Sequence, residues 1–455
     1  MKLNYVFSGC SMWKINHDKI YSEGEEKLLS DVQNIFKTFN EYFPKNPVGV
    51  LYNGFTEKQH STVLPKLGVD TYVDSGGLQI ITLGKQKLDD ELKKKIYTVQ
   101  TTGDYAMCFD EIPLYIDESK VGAGARTDMG GKYLIGEEVY DKGVATGRNI
   151  KNQIETFKEL NAHTKVFIIL QGNSYEDWMN FSDGVFSQLD FEEDNDYVAG
   201  LAIADTCLGN GILEAIDMYS VIPDLKCPES WKLRLHLLGV GSFNRLVPIL
   251  AMIKSGYLSN KTQISYDSSS HSSAIMFGRY LSKGMKTYDF NKLEEGVVCD
   301  RATLIVDHIW EVVDELGWEK YIGMTKQEFN DKFHQMTYTS FKSMYINEEC
   351  DIQESKDFRQ SIMIYIVVTL SQIFHFNKNI LKHMESEETF RKYLTSNSNT
   401  KILVTLLKIK TYDELKVWRD NVVRAGIGSN RVSRVDTKAQ YEAKINAKPA
   451  VDEWM

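Results

Sequence analysis

Short apolar stretches alternate with longer amphipathic ones along the first 285 residues of this chain of 455 residues. Each short stretch is rich in Val, Ile, Leu or Tyr and is followed by a turn and a helical pattern, as in Glu25–Tyr42 and Asn149–Leu160. The predicted strands are Tyr5–Ser8, Val48–Tyr52, Thr71–Asp74, Tyr105–Phe109, Val166–Gln171, Tyr197–Leu201, Leu235–Leu238 and Gln263–Asp267. Eight strands alternating with helices favour an α/β fold of the (β/α)8 TIM-like barrel type over a doubly wound sheet.

The pattern becomes mainly helical after Gly284. Ala302–Leu316 has the spacing of an amphipathic helix, and Phe358–Met384 that of a long, strongly apolar one. We therefore predict a barrel at 1–285, a helical insertion at 286–390 and a C-terminal extension at 391–455. The long connection between the fourth and fifth strands carries the glycine-rich segment 122–131, which is typical either of a lid or of a surface loop.

Composition narrows the protein class. A hydrophobic content of 42% with 25% charged residues is ordinary for a globular protein. The chain has no apolar run of membrane-spanning length and no apolar leader near Met1, and its six cysteines form no CxxC pair. We therefore expect a cytoplasmic protein without membrane contacts. The net charge of −10 argues against a generally basic nucleic-acid binder but allows a local basic surface.

Polar side chains recur where the predicted strands end. Asp74 follows the third strand, Asp110 the fourth, Gln171 the fifth and Asp267 the eighth. Each alone could be a helix cap, but the carboxyl ends of barrel strands share one rim, so the four side chains should converge there. Two carboxylates suit glycosidic chemistry, in which one attacks the anomeric carbon while the other handles protons. A further Asp and Gln suit a flat heterocycle with N–H donors.

The ordered motifs Asp-Ser-Gly-Gly-x-Gln, Phe-Asp-Glu, Gln-Gly, Gly-Leu-Ala and Leu-Gly-Val-Gly, between Gly68 and Asp267, resemble those of the tRNA-guanine transglycosylase superfamily. That superfamily includes phage and bacterial enzymes that place 7-deazaguanines in DNA. The resemblance implies that Asp267 is the nucleophile that attacks C1′ and that Asp74 is the general acid and base. Asp110 would accept the guanine N1 and N2 hydrogens, and Gln171 would face O6. The implied base-binding residues are Ser75, Gly76, Leu78, Asp110, Gln171, Gly200, Leu201, Leu238 and Gly239.

Departures from the family pattern bear on the polymer. Asp205 stands where tRNA enzymes carry a Glu, and the serine-rich segment 268–273 replaces a Pro-Thr-Arg run that grips the anticodon loop. We therefore expect DNA as the polymer, with tRNA as the alternative. The candidate nucleic-acid contacts are His271, Arg279, Arg424, Arg431 and Arg434. The last three form a weak basic patch, which is more often a solvated tail.

The family's structural zinc motif, a CxCxxC with a distant His, is missing. Cys299 stands alone near its place, and Phe358–Met384, which resembles the barrel-closing helix of the family, carries His375 and His383. Because a closed zinc site needs four N or S ligands, we interpret these residues and Cys350 as structural and expect no metal and no cofactor.

The expected activity is exchange of guanine in DNA for a free 7-deazaguanine (preQ0-like) base, in the host cytoplasm if the chain is phage-encoded. A divergent tRNA enzyme and a non-catalytic partner subunit are the alternatives. A partner subunit would be expected to have lost Asp74 or Asp267, and both are present. A plain sugar hydrolase would leave Asp110 and Gln171 unexplained.

Overall fold

The structure is a computed structural model and describes part of the chain. That part comprises residues 2–8, 23–56, 61–76, 89–115, 132–172, 174–204, 212–241, 243–276, 279–283, 286–289, 298–335, 356–396 and 400–424.

The described strands are β1 (Leu3–Ser8), β2 (Val48–Asn53), β3 (Thr71–Asp74), β4 (Tyr105–Met107), β5 (Leu114–Tyr115), β6 (Lys132–Tyr133), β7 (Lys165–Leu170), β8 (Val198–Ile203), β9 (Arg234–Leu237), β10 (Gln263–Ser268), β11 (Arg279–Ser282) and β12 (Lys286–Asp289). The described α-helices are α1 (Glu23–Tyr42), α2 (Asp90–Gln100), α3 (Glu137–Glu159), α4 (Tyr175–Phe186), α5 (Ile212–Ser220), α6 (Glu229–Lys232), α7 (Phe243–Ser255), α8 (Ser270–Met276), α9 (Val298–Leu316), α10 (Glu319–Ile322), α11 (Lys326–Gln335), α12 (Lys356–Met384), α13 (Glu387–Ser396), α14 (Leu403–Leu406) and α15 (Tyr412–Arg424).

Eight parallel strands close into a barrel in the order β1, β10, β9, β8, β7, β4, β3, β2. These are the eight strands predicted from the apolar stretches, so the predicted (β/α)8 fold class is confirmed. The first and last barrel strands pair directly, with Val6 opposite Asp267. All strand carboxyl ends therefore open on one face, which we call the rim.

Strand β4 is shorter than predicted because a thiol interrupts its ladder with β7. The Cys108 N–H still donates to the Phe167 carbonyl (3.1 Å), but the Ile169 N–H donates to Cys108 Sγ (3.1 Å) instead of to a backbone oxygen. The chain leaves the sheet at this point, two residues before Asp110.

Helix α3 begins at Glu137, well before the predicted Asn149. Gly143 and Gly147 lie in this added part of the helix. Glycine weakens an isolated helix, but here it allows close packing against a neighbouring helix. A Cβ on Gly143 would lie 2.2 Å from the Phe181 carbonyl oxygen, and one on Gly147 would lie 2.6 Å from that of Val185. Helices α3 and α4 therefore approach each other closely. Tertiary packing offsets the poor helix propensity of these two positions.

The long connection between β4 and β7 contains a short antiparallel ribbon. Leu114 of β5 pairs with Tyr133 of β6. The glycine-rich segment 122–131, which we interpreted as a lid or a surface loop, lies outside the described residues.

Helix α12 covers the seam where the barrel closes. Phe376 is 1% exposed, and its ring centroid lies 6.2 Å from that of Tyr5 on β1 and 6.3 Å from that of Tyr266 on β10. On its flanks Phe376 meets Phe243 of α7 and His271 of α8. Helix α12 therefore occupies the place of the eighth barrel helix.

The antiparallel ribbon of β11 and β12 joins the barrel to the later helices. Tyr280 on β11 is hydrogen-bonded to Ser371 of α12 (3.1 Å), and the Leu281 N–H donates to Gln372 Oε1 (2.9 Å). The two strands pair across the predicted boundary between 1–285 and 286–390. The three-part division itself stays a prediction. In the described part of the chain, no helix is long and apolar enough to cross a membrane.

The seam gives a test of the fold. Phe376→Ala should lower the free energy of unfolding by about 3–5 kcal/mol, because it removes a fully buried ring and leaves a cavity between the helix and two strands. Leu381→Ala on the same helix is the control, since Leu381 is 37% exposed and its loss should cost under about 1 kcal/mol. Chemical denaturation measures both values. Equal losses in the two variants would contradict the packing described here.

Candidate active site

Asp267 lies near the end of β10, on the barrel interior, with its side chain 14% exposed. The Gly239 N–H donates to Asp267 Oδ1 (3.0 Å), and His236 Nε2 lies 3.4 Å from the same oxygen. Gly239 has a φ of 71°, in the left-handed region that favours glycine. The turn after β9 can therefore aim a backbone donor at the carboxylate that ends β10.

Gly241, the second glycine of the Leu-Gly-Val-Gly motif, allows the turn after β9 to pack closely against the turn after β10. A Cβ on Gly241 would lie 2.0 Å from Ser268 Oγ and 2.2 Å from Ser270 Oγ. The turn after β9 consequently lies directly against the turn after β10, and this contact helps keep the Gly239 N–H beside Asp267.

Asp74 ends β3 at the rim and is partly exposed. The Asn53 side-chain amide at the end of β2 donates to Asp74 Oδ2 (3.2 Å), while Asn53 Oδ1 accepts from the backbone N–H groups of Phe55 and Thr56. Gly76 has a φ of 72°, and a Cβ there would lie 2.6 Å from Asn53 Oδ1. Ser75 between them is 2% exposed. The Asp-Ser-Gly turn thus closes tightly over Asn53, which holds Asp74 in place.

Asp110 and Gln171 form a pair beside Asp74. The Gln171 amide, whose residue is 1% exposed, donates to Asp110 Oδ2. The pKa of Asp110 is raised to about 7, mainly by burial and to a smaller extent by the negative charge of Asp74. Hydrogen bonds from its own backbone and from Gln171 act in the opposite direction. Asp110 and Asp74 are therefore close enough to sense each other's charge.

A supporting group lies behind this pair. Lys93 lies 3.4 Å from Glu111 Oε1 and donates to Asn149 Oδ1 (3.0 Å). The Asn149 amide donates in turn to the Phe109 carbonyl (3.2 Å). The residues on both sides of Asp110 are thus fixed from helices α2 and α3.

Two predicted base-binding residues lie away from the rim. Gly200 pairs with Phe167 inside β8, four residues before Ala204, which is about 13 Å at the rise of a strand. A Cβ on Gly200 would lie 2.1 Å from the Arg234 carbonyl oxygen, so glycine is needed there for packing. Leu201 is fully buried and alternates with Gly200, which turns it toward the helices. Neither side-chain position therefore faces the rim, and the predicted contacts of these two residues with a base stay predictions.

Three of the predicted nucleic-acid contacts lie in the described part of the chain, and they differ in exposure. His271 is 4% exposed and hydrogen-bonded to the Tyr5 hydroxyl (2.6 Å), and burial lowers the pKa of His271 to about 4. Its ring packs under α12, so we withdraw it from the contact set. Arg279 and Arg424 are exposed.

Several other predicted positions lie outside the described residues. They are Leu78, Asp205, Cys350, Arg431 and Arg434. Leu238, one of the implied base-binding residues, is partly buried at the rim end of β9. Partial burial does not test whether Leu238 contacts a base, so that role stays a prediction.

Sequence reasoning missed Asn53 and His236. Asn53 stands opposite Asp74 in the β2–β3 register, and His236 stands opposite Ser265, two residues before Asp267. The sequence feature that could have revealed both residues is a polar side chain at or near the end of a predicted strand. That signal becomes specific only when the strand register is known.

The histidines of α12 do not share a site. His375 lies beside Tyr280 and Phe374, whereas His383 lies against Phe243 and Tyr393. No three His, Cys, Asp or Glu side chains in the described residues come together as a metal would require. These residues do not fit a closed zinc site, and the expectation of no metal stays a prediction.

Neither models of known protein families nor curated proteins give a match to this chain. Its chemistry must therefore be argued from the site. The rim combines a carboxylate held by a backbone donor, a second carboxylate braced by Asn53, and a pair formed by the partly buried Asp110 and the buried Gln171.

The raised pKa of Asp110 predicts a pH dependence of stability. An Asp has a pKa of 3.8 when unperturbed and about 7 here, so between these values the folded chain holds a proton that the unfolded chain lacks. Stability contributed by Asp110 should therefore fall as pH rises from about 4 to about 7, by up to about 4 kcal/mol, and then level off.

Asp110→Asn should lack this slope, because the amide does not titrate. The measurement is the free energy of unfolding of both proteins across this pH range. Asp196→Asn, at an exposed position, is the control and should keep the wild-type slope. A wild-type curve parallel to that of Asp110→Asn would show that burial does not perturb Asp110.

Proposed function

We propose that this chain is a base-exchange transglycosylase that replaces guanine in DNA by a free 7-deazaguanine base. The observation that carries the proposal is that three carboxylates lie at one rim and that each has a different hydrogen-bond partner. Asp267 is held at Oδ1 by a backbone N–H, Asp74 is braced by Asn53, and Asp110 is partly buried and paired with the buried Gln171. Such a set supplies a nucleophile, a proton carrier and a reader of N–H donors.

In the proposed first step, Asp267 Oδ2 attacks C1′ of the target nucleotide and the bond from C1′ to the guanine nitrogen breaks. The bonding electrons pass to the base, and Asp74 donates the proton that neutralises it. An aspartyl–nucleotide ester remains. The second step reverses the first: an incoming 7-deazaguanine gives its ring N–H proton to Asp74, bonds to C1′, and releases Asp267 as a carboxylate.

Asp110 and Gln171 are proposed to read the edge of the base. Guanine and 7-deazaguanine both present N1–H and N2–H donors beside the O6 acceptor. An ionised Asp110 would accept from the two donors, and the Gln171 amide would donate to O6. Because the pKa of Asp110 is about 7, binding should favour the deprotonated carboxylate and release a proton near neutral pH.

DNA is proposed as the polymer because segment 268–273 has no Lys or Arg to grip an anticodon loop. A base in duplex DNA must leave the stack before C1′ and the base edge can be reached, at a cost of a few kcal/mol. A tRNA loop would avoid that cost, so a divergent tRNA enzyme is the alternative within this chemistry.

The polymer assignment has a direct test. Purified protein is given a radiolabelled 7-deazaguanine base together with either duplex DNA or total tRNA, and label in the polymer is counted after removal of free base. We expect label in DNA and none in tRNA, with incorporation falling as salt rises because phosphate contacts weaken. Label in tRNA alone would overturn the polymer assignment and leave the barrel chemistry standing. No label in either would overturn the enzyme proposal.

The roles of the two rim acids can be separated. Asp267→Asn should abolish exchange and the denaturation-resistant protein–DNA adduct, since an amide is a poor nucleophile. Asp74→Ala should slow exchange on the order of a hundred- to ten-thousand-fold while keeping slow adduct formation. Asp196→Asn again serves as the control and should exchange base at the wild-type rate. Near-normal exchange by Asp267→Asn would show that another group attacks C1′.

A further inference from the structure

His236 is a buried histidine that the proposed steps do not use. Its ring is fully buried inside the barrel, stacked on Tyr72 (centroids 5.3 Å apart, 29° between planes) and tilted against Phe167 (5.6 Å). Nδ1 lies 2.9 Å from Ser265 Oγ, and Nε2 lies 3.4 Å from Asp267 Oδ1. The two aromatic rings hold the imidazole plane, so each nitrogen keeps its own neighbour.

The Nε2 atom of His236 faces Asp267, the proposed nucleophile. It is fully buried and, within the described residues, has no partner at ordinary hydrogen-bond geometry. Its 3.4 Å separation from Asp267 is only slightly longer than the usual N–H···O range of about 2.7–3.2 Å. Contacts of catalytic groups are often long without substrate and tighten when it binds. A small rotation of the Asp267 side chain would complete this one.

The neighbours of the ring decide where its proton lies. If Nδ1 carried the only proton, the lone pair of Nε2 would face a carboxylate oxygen, which is repulsive. A proton on Nε2 turns the same contact into an N–H···O interaction. Nδ1 then accepts from the Ser265 hydroxyl at 2.9 Å, a shorter contact than the alternative acceptor for that hydroxyl, the Leu235 carbonyl at 3.3 Å. The surroundings therefore favour the Nε2–H form.

We infer that His236 is the positioning residue of Asp267, with its Nε2–H donating to Oδ1. The Gly239 N–H donates to that same oxygen, so two donors converge on Oδ1. Among the described residues none donates to Oδ2, which is left as the attacking oxygen. In the ester, Oδ1 becomes the carbonyl oxygen and keeps both donors while Oδ2 bonds to C1′. The mechanistic part of this inference rests on the proposed function, whereas the hydrogen bond itself does not.

The first test reads the proton position without any activity. Nitrogen-15 NMR of selectively labelled histidine in the intact protein distinguishes a protonated from an unprotonated ring nitrogen. We expect Nε2 of His236 to be protonated in the wild type, with its shift changed in Asp267→Ala, which removes the acceptor. An unprotonated Nε2, or a shift indifferent to Asp267→Ala, would overturn the inference.

The second test uses two amides of different length. The amide nitrogen of His236→Gln is as many bonds from Cβ as Nε2 and can donate to Asp267, whereas that of His236→Asn is one bond shorter and cannot reach. We expect kcat of the Asn variant to fall on the order of a hundredfold below that of the Gln variant, with similar KM for DNA. Equal kcat values would mean that His236 acts only by filling space.

The two tests separate failure of this inference from failure of the proposed function. If the wild type exchanges no base with DNA or tRNA but Nε2 is protonated and senses Asp267, the proposed function fails and the His236–Asp267 hydrogen bond stands. If exchange occurs while Nε2 is unprotonated, the function stands and His236 is not the positioning residue.

Discussion

The pairing of β1 with β10 is the constraint on which the rest of the structure depends. It joins the two ends of the sheet, so that no barrel strand keeps an open edge. It also sets Asp267 opposite Val6, at the same rim as Asp74. The seam is covered by Phe376 of α12, a helix far along the sequence. The helices after the barrel are therefore part of what assembles the site, although they contribute none of its acids.

The closed barrel has a polar interior below that rim. The Asn4 amide donates to the Tyr72 hydroxyl (3.2 Å), Tyr72 stacks on His236, and His236 contacts both Ser265 and Asp267. Contacts between polar groups are stronger in such an interior than in water, because the effective dielectric constant is lower there. Asp267 is thus oriented from beneath by side chains on rigid strands. Rigid strands hold such a group more accurately than loops do.

The order of strands and the identity of their end residues could be predicted from the sequence, because barrel geometry fixes where strand ends meet. Register could not be predicted. The Gly-Leu-Ala motif looked like a strand end, yet Gly200 sits where the Arg234 carbonyl leaves no room for a side chain. His271, within a serine-rich run, was a candidate nucleic-acid contact but packs under α12. His236 was missed because it lies in the barrel interior below the rim and belongs to none of the sequence motifs.

The contrast between Asp110 and the other two rim acids bears most directly on the class of ligand. A sugar hydrolase needs two carboxylates, and Asp267 with Asp74 would suffice. The position of Asp110 next to Gln171 raises its pKa to about 7, mainly through burial. Keeping a third acid there therefore lowers the free energy of unfolding at neutral pH. Such a group accepts well from adjacent N–H donors once it ionises, and sugars offer hydroxyls instead. The pair of Asp110 and Gln171 therefore favours a heterocyclic base over a second sugar.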